Sequence, residues 1–512
     1  MNILDSMIGF FSPEAGYRRS LFREELKGLK RHGYDAGNGA RLNKNWGALI
    51  ESAEMTDRCS RDTIRGRARD LERNSDILNS IISAFIRNVV GSGFSLQAKT
   101  GNEKINTEIE KLFKEWSKPK NCDVSAQQSF TQILRMAVRR KKIDGGILFK
   151  KCYTAGGLVP FKLQALEVDE LAYTWGQPRD PQNKVAGGIE YDQFNKPVGY
   201  WLTHYSVDGL ELSEPEYYNA KDIIFIYSKN RPSQVREISD LAPTLTRVRD
   251  TNEFITAVAI KERIAACLSV FIKKAIPLTS YGRSGVNNGN TVDYSQRPLA
   301  PGMITEMNAG DDIQVVDPKS SSADATSFLK LQQRLIGAGQ GLSYEATARD
   351  MSECTYSSAR QANIEDELTY LEDKEVLIRF MDEVLEAFIV SAIMAKKLII
   401  PDFWDNKEQY FNHIWVSSPK KWIDPQKEAN AQSTALTNGL KTFAQIAAEG
   451  GRDWREQIDE MSEIIKYAKE KGVNLPGYNI QSETETETSS SDENEDQETE
   501  TAQETNDNDN QE

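Results

Sequence analysis

Apolar positions follow three successive patterns along the chain, and their order predicts an architecture. From 62 to 142 they step by three and four. Ile77, Ile81, Ala84 and Phe85 mark one side of a helix over 62–90 that Gly91, Ser92 and Gly93 close, and two further helices follow over 102–116 and 129–142. From 146 to 230 the period shortens. ILFKKCY, FKLQALEV, GGIEYD, PVGYWLTHY and DIIFIY are rich in β-branched and aromatic residues and divided by Gly, Pro, Asn and Asp, which predicts a small antiparallel sheet. From 239 the helical spacing returns. Leu241, Leu245, Val248, Ile255, Ala259 and Ala266 form a stripe over 239–272, with Ser239 or Asp240 as the cap and Pro243 in the first turn.

The next helix, over 322–340, carries Phe328, Leu331, Leu335 and Ile336 and dissolves at Gly337, Gly339 and Gly341. A polar loop, SYEATARDMSECTYS, leads to a capping box of Ser358 and Gln361 that opens a rod over 358–397. Its apolar residues are Ile364, Leu368, Leu371, Ile378, Leu385, Phe388 and Ala392, interrupted at Glu375. A rod of about 40 residues spans roughly 60 Å. Such rods, with one apolar seam and a charged remainder, pack along neighbours in a bundle, a coiled coil or a ring of subunits. Residues 277–318 are Gly-, Asn- and Pro-rich, with strand candidates MITEM and DIQVV around a GD turn, so two rods flank a small tip. An aromatic cluster, PDFWDNKEQYFNHIWVSSPKKW, precedes two amphipathic helices over 425–448 and 453–471, split by Gly450 and Gly451. The fold class is therefore α+β, mainly helical.

Charge alters this picture only at the end of the chain. The formal net charge is −14, but residues 482–512 hold 13 Asp and Glu and no Lys or Arg, which leaves −1 for the body. That tail is low-complexity and reads as disordered; residues 1–50 read as a loosely packed arm. The basic groups Arg65, Arg67, Arg69 and Arg73 and the run RRKK at 139–142 read as solvated helix faces, with nucleic-acid or subunit contact as the alternative. Five widely spaced cysteines suit isolated thiols in a reducing compartment. Asp5 stands where an export signal is basic, and no apolar window reaches the ~18 residues of a membrane span.

The chemistry-bearing motifs are missing. No GxxxxGK[ST] is present, since GAGQGLS at 337–343 lacks the lysine and its glycines read as a helix stop and hinge. GRSGV at 282–286 is not a hydrolase elbow. His32, His204 and His413 stand alone, and Asp311-Asp312 and Glu365-Asp366-Glu367 read as a turn and a helix face. No catalytic residue, metal ligand or cofactor is expected.

Four blocks in order, RARDLERNSDILNSIISAFIRNVVGSGFSLQ at 67–97, RPSQVREISDLAPTL at 231–245, GLSYEATARDMSECTYSSAR at 341–360 and WIDPQKEANAQSTALTNGLKTFAQIAAEGGRD at 422–453, resemble the portal proteins of lambda-type tailed phages. The resemblance covers about 60–470. It implies a portal-type, ring-forming subunit, twelve-fold in the virion, set at one capsid vertex and passing double-stranded DNA during packaging and ejection. Its parts would be an arm at 1–60, a wing at 61–238, a descending stem helix at 239–272, a clip at 273–318 and an ascending stem helix at 319–341. A tunnel loop at 342–357, a tunnel helix and wing return at 358–424, a helical crown at 425–475 and an acidic tail at 476–512 complete it. Glu345, Arg349, Asp350 and Glu353 would face DNA from the tunnel loop, and Lys330 and Arg334 from the stem. Arg283, Arg297, Asp311 and Asp312 would face the terminase large subunit from the clip. Further partners would be other copies in a homododecamer, the major capsid protein or scaffold, and the head completion and tail connector proteins; no membrane is implied. The place would be the portal vertex of the virion, after assembly in the host bacterial cytoplasm. The competing readings are a packaging nuclease or ATPase, and a scaffold or adaptor ring without DNA.

Overall fold

The computed structural model describes residues 50–473 apart from 155, 207, 210–211, 267–269, 275–310, 316–321 and 419–423, with residues 12–15, 18–19, 21–22 and 47. The chain divides into a unit ending at Ser418 and a second beginning at Pro419. The expected tail, the strand MITEM, and Arg283 and Arg297 lie outside the described residues.

The first unit is built on a two-faced sheet. Strand β2 (Gly146–Cys152) lies between β3 (Lys162–Leu166) and β8 (Ile223–Tyr227), antiparallel to both. Alternation sends Ile147 and Phe149 to one side, into the main core, and Leu148 to the other. The main core is formed by α1 (Arg61–Asn74), α2 (Asp76–Val89), α3 (Glu103–Trp116), α4 (Phe130–Asp144) and the C-terminal half of a long helix described below. Leu148 joins Leu166, Tyr200, Leu202 and Ile223 in a smaller core against a second sheet of β4 (Lys184–Ala186), β5 (Ile189–Tyr191), β6 (Pro197–Leu202) and β7 (Glu216–Asn219). Two sheets thus replace the single one expected, because β2 is buried on both faces.

The helix expected over 62–90 is two. Ser75 is extended (φ −124°, ψ 121°), and its hydroxyl accepts from Leu78 N to restart the chain as α2. At the centre of the main core Trp116 is fully buried, donates from Nε1 to Phe161 O at 2.8 Å and stacks on Phe161 at 5.5 Å. Phe113 and Trp116 each meet Phe388 at 5.3 Å, which ties α3 to the long helix. Strand β1 (Ser95–Ala98) pairs with β11 (His413–Val416), Ser95 opposite Val416, across more than 300 residues of sequence.

Most of the basic groups read as solvated are buried or half-buried in ion pairs instead. Arg65 reaches Asp62, Asp169 and Glu237, and Arg69 reaches Asp144. Lys141 and Lys142 share Asp240 and Asp373 at 2.6 to 3.3 Å. Arg139 and Arg140 clamp Glu72. Each cation sits where two elements meet, and burial without a partner would cost several kcal/mol; Arg67 and Arg73 do stay exposed. Cys59, Cys122, Cys152 and Cys354 are free thiols, as expected.

The rods are shorter than predicted, and the longest is shifted towards its N-terminus. Helix α5 runs Leu245–Ala266 and gives way to β9 (Val270–Lys274), so the helix expected over 239–272 loses both ends. Its start is a turn held by Ser239, whose hydroxyl donates to Lys142 O and accepts from Leu241 N. Strand β10 (Asp311–Val315), the predicted DIQVV, pairs with β9, so the small excursion is closed at its base by two antiparallel strands. Helix α6 is Ser322–Ala338, α7 the short Tyr344–Ala348, and α8 the rod Tyr356–Met394. The capping box of α8 is Thr355 with Ser358, three residues before the expected one, because the Thr355 hydroxyl accepts from Ser358 N.

The second unit holds α9 (Pro425–Thr437), α10 (Phe443–Glu449) and α11 (Trp454–Lys471). The helix expected over 425–448 breaks at Gly439 (φ +66°), and Thr442 caps the new start in a box with Gln445. Two sequence blocks are therefore three helices.

Candidate functional site: the loop at 342–357

The loop at 342–357 is held from three sides. A Cβ at Gly337 would meet Thr347 Oγ1 at 2.5 Å, and one at Gly339 would meet Thr244 Cγ2 at 2.6 Å. The missing side chains let the end of α6 press between the loop and the start of α5, so these glycines are close-approach positions as well as a helix stop. Gly341 (φ +67°) turns the chain, and its carbonyl accepts from Thr369 Oγ1 at 2.7 Å. Ser343 then binds the buried Asp366 of α8 twice, from N at 2.6 Å and Oγ at 2.7 Å, while the same hydroxyl accepts from Ala346 N to cap α7. Burial raises the Asp366 carboxyl above the usual range, and the two Ser343 donors only partly offset it. Helix α7 in turn packs on α2.

The loop's carboxylates are engaged within their own chain. Glu353 pairs with Lys330 of α6 at 2.6 Å. Asp350 accepts from Ser352 N and Oγ and from Tyr344 OH at 3.2 Å, contacts that hold it below its ordinary pKa with help from Lys330. Glu345 accepts from the Cys354 thiol at 2.9 Å, which raises that thiol. The Arg334 guanidinium lies 5.3 Å over the Tyr344 ring. Arg349 differs: it sits left-handed (φ +56°) at the end of α7, its N–H bonded to Glu345 O, and its side chain is exposed. The structure thus brings Lys330, Arg334, Glu345, Arg349, Asp350 and Glu353 together around the C-terminal part of α6 and the loop that follows it. Asp311 and Asp312 lie elsewhere, on β10, in register with Lys274 and Lys273.

The sequence matches the family described as phage portal protein, lambda family, over residues 39–373. The chain belongs to the lambda family of phage portal proteins. It is 24% identical over 453 residues to the probable portal protein of Halomonas phage phiHAP-1, covering 85% of this chain and 86% of that one. It is 21% identical over 490 residues to portal protein B of Escherichia phage lambda, covering 87% and 91%, and 20% identical to the portal protein of Escherichia phage N15. Among solved structures it is similar to chains of the neck of an empty gene transfer agent particle (TM-score 0.45, 12% identity, 75% of this chain and 93% of that one). It is also similar to chains of the native neck computed with C12 symmetry (TM-score 0.42, 13% identity, 80% and 97%).

As a portal subunit the chain is a structural component of the phage particle at the head–tail connection, with the mainly helical α+β fold that its sequence predicted. Among the described residues, no helix is long and apolar enough to cross a membrane. Reading the sequence missed Asp366, Tyr344 and Thr369 as supports of the loop. Asp366 reads as part of an ordinary acidic helix face, Glu365-Asp366-Glu367; what sets it apart is that it is buried and turned toward Ser343. Arg87, at the α2 end facing the loop, gave no local signal.

Proposed function

We propose that twelve copies of this subunit close into a ring around an axial channel at one capsid vertex, with 342–357 forming a collar toward double-stranded DNA. Residues 273–318 then form the clip that docks the terminase large subunit and later the head completion and tail connector proteins. The rim contacts the major capsid protein or scaffold, and the ring assembles in the host cytoplasm. No chemistry of its own is required, since the packaging ATPase is a separate protein.

The observation that carries the ring is an apolar surface on the rods that the chain itself leaves uncovered. Ile255 and Ile260 of α5, Phe328, Leu331 and Leu335 of α6, and Ile364, Leu368 and Leu371 of α8 are each 40% exposed or more. All but Ile260 belong to the helical stripes read from sequence, yet within one chain they stay exposed, Phe328 even where its ring meets Phe254 at 4.6 Å. A cyclic array covers such stripes by setting each rod against the next copy. Mass photometry of the purified protein tests this: twelve chains of 57.7 kDa give a species near 690 kDa with an axial hole in negative stain. A persistent monomer that also fails to close when terminase and capsid partners are added overturns it.

A further inference from the structure

We propose that Arg87 and Arg349 together form the phosphate-contacting pair of the collar, one pair per subunit. This rests on the reading of 342–357 as the surface facing DNA, and it adds a residue outside that loop. Arg87 lies in the last turn of α2 and Arg349 directly after α7, and the packing of α7 on α2 brings the two ends together. Both side chains are exposed, and neither makes an ion pair among the described residues.

Three observations favour a phosphodiester backbone as the missing anion. First, the carboxylates of the loop are already in use: Glu353 on Lys330, Asp350 on Ser352 and Tyr344, and Glu345 on Cys354. Only Glu353 spends its charge on a cation, Lys330, so a carboxylate of the next copy is the competing partner that the test below separates from DNA. Second, of the other cations on the elements that flank the loop, Lys330 is paired with Glu353, Arg334 lies over the Tyr344 ring and Arg360 is exposed, so the arginine pair lacks the carboxylate that Lys330 has. Partial burial, and then the charge of Arg349, make the Arg87 cation less favourable than usual, a cost that a bound anion relieves. Third, guanidinium groups fit phosphate oxygens in a forked geometry and read no base, so the contact serves any sequence passing through. One pair per subunit is also sparse, and a channel dense in cations would hold the polymer in place.

The test is binding of a short fluorescent duplex to assembled full-length rings, by anisotropy between about 50 and 200 mM salt, with ring size checked for every variant. Arg87→Gln and Arg349→Gln are each expected to weaken binding several-fold. Each should flatten the slope of log affinity against log salt by about 0.9 for every phosphate contact removed. Arg87→Lys should keep most of the slope, and the remote Lys104→Gln should change nothing. Loss on Lys330→Gln with Arg87→Gln unaffected overturns the pair while leaving the loop facing DNA. No change for any of these variants overturns the reading of the loop itself. Rings that fall apart on Arg87→Gln assign Arg87 to a carboxylate of the next subunit, and that too overturns the proposal.

Discussion

Replacing Asp373 by alanine is expected to cost the first unit about 3–5 kcal/mol, because it strips one of two carboxylates from a buried pair of lysines. The side chains of Lys141, Lys142, Asp373 and Asp240 are 5%, 10%, 6% and 14% exposed. Asp373 binds Lys141 at 2.6 Å and Lys142 at 2.7 Å, and Asp240 binds them at 2.9 and 3.3 Å. Without Asp373, two largely buried ammonium groups share one acid. Urea unfolding followed by tryptophan fluorescence, extrapolated linearly to water, reads the loss. A cost under about 1 kcal/mol would show the quartet to be screened like a surface pair and would refute the reasoning. The companion Asp373→Leu with Lys142→Met restores neutrality and keeps an apolar stem over Phe85, on which Lys142 now sits at 3.9 Å. It should recover at least half the loss. The pH dependence has two edges. Burial raises the Asp373 carboxyl, but Lys142 and Lys141 outweigh it and the folded value lies below the ordinary one. Its contribution is therefore present above the unfolded value near 3.9 and is lost as pH falls through the folded value. For Lys141 burial lowers the pKa, yet Asp240 and Asp373 raise it further, so its contribution is present below about 10.4 and lost as pH rises through the folded value.

Asp366→Ala removes both acceptors of Ser343 and should cost about 1–3 kcal/mol, with amide exchange quickening first across 342–350; unchanged exchange there would rule out Asp366 as the anchor. Gly145 ends α4 at φ +90°, and a Cβ there would lie 2.4 Å from the Ile238 carbonyl carbon, so Gly145→Ala should cost more than about 2 kcal/mol, visible as a lower urea midpoint. Ile364→Asp with Leu368→Asp should leave the monomer folded but shift mass photometry away from rings, and intact rings would place the subunit interface elsewhere. Asp350→Lys with Glu353→Lys adds cations to the collar and breaks the Lys330 pair, so packaging should slow; an unchanged rate would show that the loop's charge balance does not matter.

Some of this protein was written locally in its sequence. Period identified the helices at Glu103–Trp116 and Phe130–Asp144 to within two residues, and β-branched runs identified β2, β3 and β8. The four ordered blocks pointed to the family, and the family membership bears that out. Local signals also placed a helix from 322 and a polar stretch at 342–357, but not that the helix ends at Ala338, that the stretch carries the short α7, or what holds it. Tertiary structure decided the rest, because the deciding contacts join residues far apart in sequence. Ser75 splits a helix that the apolar period alone would run through, and the two halves pack on different partners, α1 on α5 and α2 on α7 and α8. The arginines of α1 and the lysines of α4 looked like solvated faces, and became buried cations only where Asp169, Glu237, Asp240 and Asp373 arrive from other elements. The α8 stripe read as one seam, but the main core covers only the half around Phe380, Val384 and Phe388, while Ile364, Leu368 and Leu371 stay outside it. The sequence carries the apolar period of a rod; which half of that rod a single chain buries depends on how far the core reaches along it.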